Sequence, residues 1–209
     1  MTFVYKNSLW NIIDNTKESN SNNIYLVLDT ETTGINTTTS YIVQLSYMLV
    51  NYKFEQIEAI SDYIIKIDQY IPNSYIHGIT NKISQSKGFD LIYVFQLFMI
   101  SLQKATHIIC YNIKFDIEML ITELSRLGMF HILNELNSKI LVCPMRELKH
   151  LVGNPSRYSK LADTYQSIVG KPIEHAHDSK YDVINLNEIL YTMYNRFTHL
   201  IPRPRETSK

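Results

Sequence analysis

Cysteine, one-signed charge and long apolar runs are all scarce in this sequence, and each scarcity removes a class of protein. Two cysteines in 209 residues, Cys110 and Cys143, cannot build a disulfide framework. Both sit in apolar stretches expected to be buried strands, and neither has a Cys or His partner at zinc-ligand spacing, so a closed structural zinc site has no support. Twenty Lys and Arg balance twenty Asp and Glu, which leaves a formal net charge of +0. The broad positive field of a duplex-coating protein is therefore missing, and any contact with a polyanion has to be local. The most apolar run, Leu91 to Leu102, is far short of the roughly 20 residues that span a bilayer and reads as a buried helix, so no membrane association is expected. The N-terminus shows no basic segment followed by an apolar run and a small-residue cleavage site, and the expectation is an intracellular protein, cytoplasmic or nuclear and not secreted.

What remains is ordinary globular composition, 45% hydrophobic and 19% charged, with enough chain for one full core. Residues 1–23 read as an N-terminal arm and linker, 24–197 as the folded domain and 198–209 as a flexible tail. Ile24 to Leu28 is a short apolar run typical of a strand buried on both faces. Tyr41 to Val50 and Phe54 to Ile67 are two more strand-like runs with little but turn residues between them, which favours antiparallel neighbours. After the loop with Pro72 and Gly78 the pattern alternates: a helix at Phe89 to Lys104, a strand at His107 to Tyr111, a helix from Ile113 stopped at Gly128, and a strand at Lys139 to Cys143. Helices follow at about Pro144 to Leu151, Leu161 to Val169 and Asp178 to Asn195. This order predicts a three-layer α/β domain with a mixed five-stranded sheet flanked by helices, similar to ribonuclease H.

Three acidic segments carry the chemistry. In Asp29-Thr30-Glu31-Thr32-Thr33-Gly34, at the end of the first strand, Asp29 and Glu31 are two apart and project to the same face. Like charges so close are costly unless a cation sits between them, and hard oxygen donors suit Mg²⁺ or Mn²⁺. In Tyr111-Asn112-Ile113-Lys114-Phe115-Asp116, Asn112 is placed to cap the next helix and Asp116 stands one turn inside it. By itself Asp116 could be no more than an acid favoured by a helix N-terminus. In His177-Asp178-Ser179-Lys180-Tyr181-Asp182 the spacing sets His177 just before a helix and Asp182 inside it.

Taken in this order the three segments resemble the three exonuclease motifs of the DnaQ-like superfamily, DEDDh branch. The first motif, Asp-x-Glu-Thr-Thr-Gly, is matched in full. Tyr111 stands where the second usually has His, and Ser179 stands where the third has Ala. The segment Ile76-His77-Gly78-Ile79-Thr80 resembles a further family stretch, and the similarity runs from about Ile24 to Tyr194. The resemblance implies a 3′–5′ exonuclease that releases nucleoside 5′-monophosphates, with Asp29, Glu31, Asp116 and Asp182 holding two divalent ions, Mg²⁺ or Mn²⁺, and His177 as general base. It implies that Thr32, Thr33, Gly34 and Ile35 receive the terminal nucleotide, with His77 and Asn112 as further substrate contacts. His175 lies at the wrong distance from Asp182 for the motif and is expected to be solvent-facing or packed. The expected partner is a nucleic acid with a free 3′ end, single-stranded or frayed, and a polymerase or a replication or repair complex is a candidate second partner. The competing reading is a non-catalytic nucleic-acid- or polymerase-binding module of the same fold.

Overall fold

The computed structural model describes residues 8–14, 21–152 and 158–196. Its sheet is built on β1 (Ile24–Thr32), whose side chains alternate between two apolar layers. Leu26 and Leu28 enter one core, while Tyr25 and Val27 enter the other. A strand buried on both faces has to be apolar at every position, which is why Ile24 to Leu28 shows no polar alternation. β2 (Ile42–Asn51) pairs antiparallel with β1, and β3 (Ser61–Ile64) pairs antiparallel with β2. On the other side β4 (His107–Ile109) and β5 (Ile140–Val142) run parallel to β1, giving a five-stranded mixed sheet in the order β3-β2-β1-β4-β5.

The first core lies between the sheet and α4 (Leu91–Lys104), α5 (Ile113–Arg126) and α6 (Phe130–Ser138). Asp90 caps α4 by accepting from the amides of Ile92 and Tyr93 at 2.8 and 3.2 Å. The second core lies under α8 (Leu161–Val169) and α9 (Ser179–Arg196), and takes in Leu148 from α7 (Pro144–Leu148). Two small helices, α2 (Ser74–His77) and α3 (Asn81–Lys87), connect β3 to α4.

Several expectations change in detail. Where an arm was expected, Leu9–Ile13 forms a helix, α1, whose Leu9, Ile12 and Ile13 are buried in the second core. Its start is pinned by Glu147 of α7, which accepts from the Ser8 hydroxyl at 2.5 Å and from the Leu9 amide at 2.8 Å. The long run Phe54 to Ile67 yields only four residues of strand. Phe54 adopts a left-handed φ of 63° in the turn after β2, and its ring is buried against Tyr25 instead of extending a strand. The helices α2, α3 and α6 were not foreseen, and residues 198–209 lie outside the described residues.

Because α1 closes the second core, Ile12→Ala should cost about 2–5 kcal/mol, the usual range for truncating a fully buried aliphatic side chain. Chemical denaturation of the two proteins measures this directly. A difference below about 0.5 kcal/mol, typical of surface substitutions, would show that α1 is not part of the folded core.

Candidate active site

Both helical layers send an acid to the C-terminal end of β1. Asp29 and Glu31 follow Tyr25 and Val27 in the two-residue alternation and face the α9 side. Thr30 points the opposite way, and its amide and hydroxyl both donate to Asp116 Oδ1, at 3.1 and 2.8 Å. These two bonds draw the buried Asp116, in the first turn of α5, onto the strand. Asp182 comes from the first turn of α9, where its carboxylate accepts from the His177 amide and its own amide donates to the Asp178 carbonyl at 2.9 Å. Four carboxylates from three segments far apart in sequence thus share one site.

Their protonation records that crowding. Burial first, then the charges of Asp116, Asp182, Glu31 and Asp178, push the Asp29 carboxyl well above the usual carboxylate range. Glu31 rises to about 8 through burial and then repulsion from Asp182 and Asp116. Burial raises Asp116 to about 7 against the opposing pull of the two Thr30 hydrogen bonds, and it raises Asp182 to about 7 against the His177 amide. Glu31, His177 and Asp182 can each place one ligand atom within 4.8 Å of the others. An oxygen-rich, mutually repelling donor set of this kind fits hard divalent cations. The His177 imidazole is close enough either to share an ion with the two acids or to accept a proton beside them.

His177 is exposed and sits at a left-handed φ of 66° just ahead of α9. His175 also has a positive φ, 54°, but its ring packs on Tyr181 with centroids 4.5 Å apart. His77 is buried in α2 with its Nδ1 accepting from the Ile79 amide at 3.1 Å, which leaves the proton on Nε2. That Nε2 has no hydrogen-bond partner among the described residues, and burial, then the nearby His177, hold the His77 imidazole below its ordinary value.

Thr32 and Thr33 shape the turn after β1. The Thr32 hydroxyl donates to the Gly34 carbonyl at 2.8 Å, and the Thr33 hydroxyl accepts from the Tyr41 amide at 3.0 Å. A side chain at Gly34 would come within 3.1 Å of Ser40 Oγ, and Ile35 projects almost fully into solvent. Arg126 straps this loop to α5 by donating to the carbonyls of Ser40 and Thr38 at 2.6 and 2.7 Å, with its guanidinium 4.4 Å above the Tyr41 ring. Asn112 occupies the cap position of α5, but its exposed side chain makes no capping bond there, contrary to expectation. Tyr111 is buried, and its hydroxyl is engaged by Thr164 Oγ1 at 2.6 Å and by the Ser159 carbonyl at 2.8 Å, so it ties β4 to the start of α8.

Three residues at the site had gone unnoticed. Asn73 donates to the Thr32 carbonyl at 2.8 Å and so joins α2 to the end of β1. Gln44 and Asp178 meet at 3.1 Å beside α9. The one legible signal was Gln44 itself, a large polar side chain inside the strongly apolar run Tyr41 to Val50.

A five-stranded mixed sheet with an acidic cluster at the end of its central strand is the arrangement of a nuclease domain. The model of the RNase_T family, described as Exonuclease, matches residues 26–190, and the chain belongs to that family. Among solved structures, the zinc-bound complex of E. coli exonuclease I with single-stranded DNA is 17% identical, covers 84% of this chain and 41% of its own, and superposes with a TM-score of 0.71. E. coli exonuclease I with a dT13 oligonucleotide is also 17% identical, with 83% and 41% covered and a TM-score of 0.70. Exonuclease I from Methylocaldum szegediense is 18% identical, with 85% and 41% covered and a TM-score of 0.66. The chain therefore shares their fold and spans about two fifths of their length. No curated protein matches it.

The raised acids give a stability prediction with a definite sign. With Asp116 and Asp182 at about 7 and Glu31 at about 8, the metal-free fold binds protons more tightly than the unfolded chain. That stabilisation is complete below the ordinary carboxylate values near about pH 4 and is lost as pH rises through the folded values. In EDTA the Tm should fall between about pH 5 and pH 8, and Mn²⁺ should restore most at the upper end. A Tm that climbs across this window in EDTA would contradict the clustering.

Proposed function

We propose that this chain is a metal-dependent 3′–5′ exonuclease of the DEDDh type that removes nucleoside 5′-monophosphates from single-stranded or frayed ends. The observation that carries the reading is the convergence of Asp29, Glu31, Asp116 and Asp182 from β1, α5 and α9, with His177 beside them. A non-catalytic module would have no need to gather four acids against their own repulsion. The oligonucleotide complexes of exonuclease I, which share the fold, support a single-stranded substrate.

The four carboxylates would hold two divalent ions, Mg²⁺ or Mn²⁺, which when bound offset the clustered negative charge and polarise the scissile phosphate. His177 accepts a proton from the attacking water. The water oxygen bonds to phosphorus, the P–O3′ bond breaks, and the 3′ oxygen leaves with the bonding pair and takes a proton from solvent water to become the new terminal hydroxyl. Ile35, exposed beside the site, and the turn Thr32–Gly34 receive the terminal nucleotide. Charge neutralisation inside the site also explains how a chain of net charge +0 can accept a polyanion locally. A polymerase or repair partner would act on surfaces away from these residues.

Asp29→Ala should abolish nearly all cleavage while leaving the metal-free fold intact or more stable, because it removes a repelling charge. Wild-type rates from the purified variant in saturating Mn²⁺ would overturn the assignment.

His177→Ala should slow turnover by roughly 10²–10⁴-fold with little change in Mn²⁺ affinity, and His175→Ala should be far milder. A sharp loss of Mn²⁺ affinity in His177→Ala would make it a ligand instead of a base. The polarity is read on 5′-labelled DNA and RNA strands with free or blocked 3′ ends. A descending ladder that vanishes on blocking is expected, and internal cuts indifferent to the block would make the protein an endonuclease.

A further inference from the structure

Upstream of His177 the residues Glu174, His175 and Ala176 are exposed, and the contact made there, the His175 ring on Tyr181, is again to a residue of α9, so the position of His177 follows the start of that helix. There Ser179 is fully buried against the sheet. Gln44 and Ser46, two apart on β2, face the same layer as Asp29, which pairs with Ser46 across the ladder. Asp62 of β3 pairs with Ser46 on the other side.

Proton accounting gives this cluster a direction. Gln44 Nε2 donates to Asp62 Oδ1 at 2.8 Å and to Asp178 Oδ1 at 3.1 Å, which uses both of its hydrogens. The Gln44 carbonyl oxygen accepts from the Ser179 amide at 3.4 Å. Ser46 Oγ spends its one hydrogen on Asp62 Oδ1 at 2.9 Å, so in the 2.6 Å contact between Ser46 and Ser179 the Ser179 hydroxyl must be the donor. The chain runs from Ser179 to Ser46 to the Asp62 carboxylate, where a charge-assisted bond ends it. Asp178 Oδ1 also accepts from the Lys180 amide at 3.1 Å and thereby caps α9.

We infer that Gln44, Ser46 and Asp62 are positioning residues for the third acidic segment: they lock Asp178 and Ser179 to the sheet, and through them set His177 and Asp182 against Glu31. The Asp178 carbonyl holds the Asp182 amide and the Asp182 carboxylate holds the His177 amide, so a shift of Asp178 moves both. Ser179 stands where the resembling motif has Ala, and its extra hydroxyl is matched by the acceptor on Ser46. The activity readout of this inference rests on the exonuclease reading.

The test uses the full chain with Gln44→Met, Ser46→Ala, Ser179→Ala and the double serine variant. Tyr165→Phe, which removes the hydroxyl bond to Glu188 farther along α9 and leaves its ion pair with Lys171, is the control for general loosening of the helix. Kinetics on a single strand, Mn²⁺ affinity by calorimetry and Tm are measured for each. Gln44→Met should lose roughly 10–100-fold in kcat and weaken Mn²⁺ binding, as expected when support behind metal-site residues is removed, with little change in KM. The two serine variants should be non-additive, the double being no worse than the poorer single. Tyr165→Phe should lower Tm and leave kcat alone. Additive serine effects, an equal loss of kcat in the control, or wild-type kcat and Mn²⁺ affinity in Gln44→Met would each overturn the inference. If the wild-type protein cleaves nothing, the exonuclease reading falls, and the Mn²⁺ affinities of the same variants still decide the positioning role.

Discussion

Repulsion among the four carboxylates at the end of β1 is the constraint to which the surrounding structure answers. Left to solvent, Asp29, Glu31, Asp116 and Asp182 would separate, and three kinds of contact keep them together. The rigid two-residue alternation of a strand buried on both faces fixes Asp29 and Glu31. The two hydrogen bonds from Thr30 hold Asp116. The His177 amide and the cap of α9 hold Asp182. The hydrogen bonds to Asp116 and Asp182 favour the ionised acids and the burial disfavours them, so these two carboxyls rise to about 7, Glu31 rises to about 8 and Asp29 is pushed well above the usual carboxylate range, a balance that a bound cation would complete.

The layers divide the labour. The α4–α5 side presents Asp116 through a helix that begins directly after β4, so its position is tied to the parallel core of the sheet. The α9 side presents Asp182 through a helix that arrives after a long exposed segment, and there a polar cluster on β2 and β3 takes over the anchoring. The two routes differ in how far the backbone alone determines where the acid ends up. Across the mouth of the site the loop after Gly34 is strapped by Arg126, and α2 is tied to the Thr32 carbonyl by Asn73. Ile35 and Tyr75 protrude at the surface of these two anchored segments.

Much of this was legible from residue order. Asp29 and Glu31 share a face because strands alternate, and His177 falls before the helix because five residues within one helix would have turned it away from Asp182. Ile113, Ile117, Leu120, Leu124 and Leu127 marked α5 by their helical spacing; the first four are buried, and Leu127, at the C-cap, is exposed. The misses have physical causes. α1 is too short to show a period, and its burial depends on Glu147, 138 residues away. Phe54 to Ile67 looked like strand because β-branched and aromatic residues fill it, yet tertiary packing of Phe54 on Tyr25 won over propensity. Asn112 has the right residue type for a cap, but the first turn of α5 is closed by its backbone carbonyl, which accepts from the Phe115 amide at 2.9 Å. Gln44 and Ser46 share a face of one strand, but their meeting with Asp62 was invisible because it comes about only through strand register.

The two departures from the resembling motifs show how a fold absorbs a changed side chain at a sensitive place. Tyr111 and Ser179 each put a hydroxyl into a buried position next to a proposed metal-holding segment, where an unpaired polar group would cost about 1–3 kcal/mol. Neither hydroxyl is left unpaired. Thr164 and Ser159 meet the first, and Ser46 meets the second. In both places the partner belongs to an element that the acidic segment has to be fixed against: the start of α8 for the Tyr111 segment, and β2 for the α9 segment. A substitution that looks like decay when the motif is read along the chain is, in three dimensions, an added tether between the acidic segments and the scaffold.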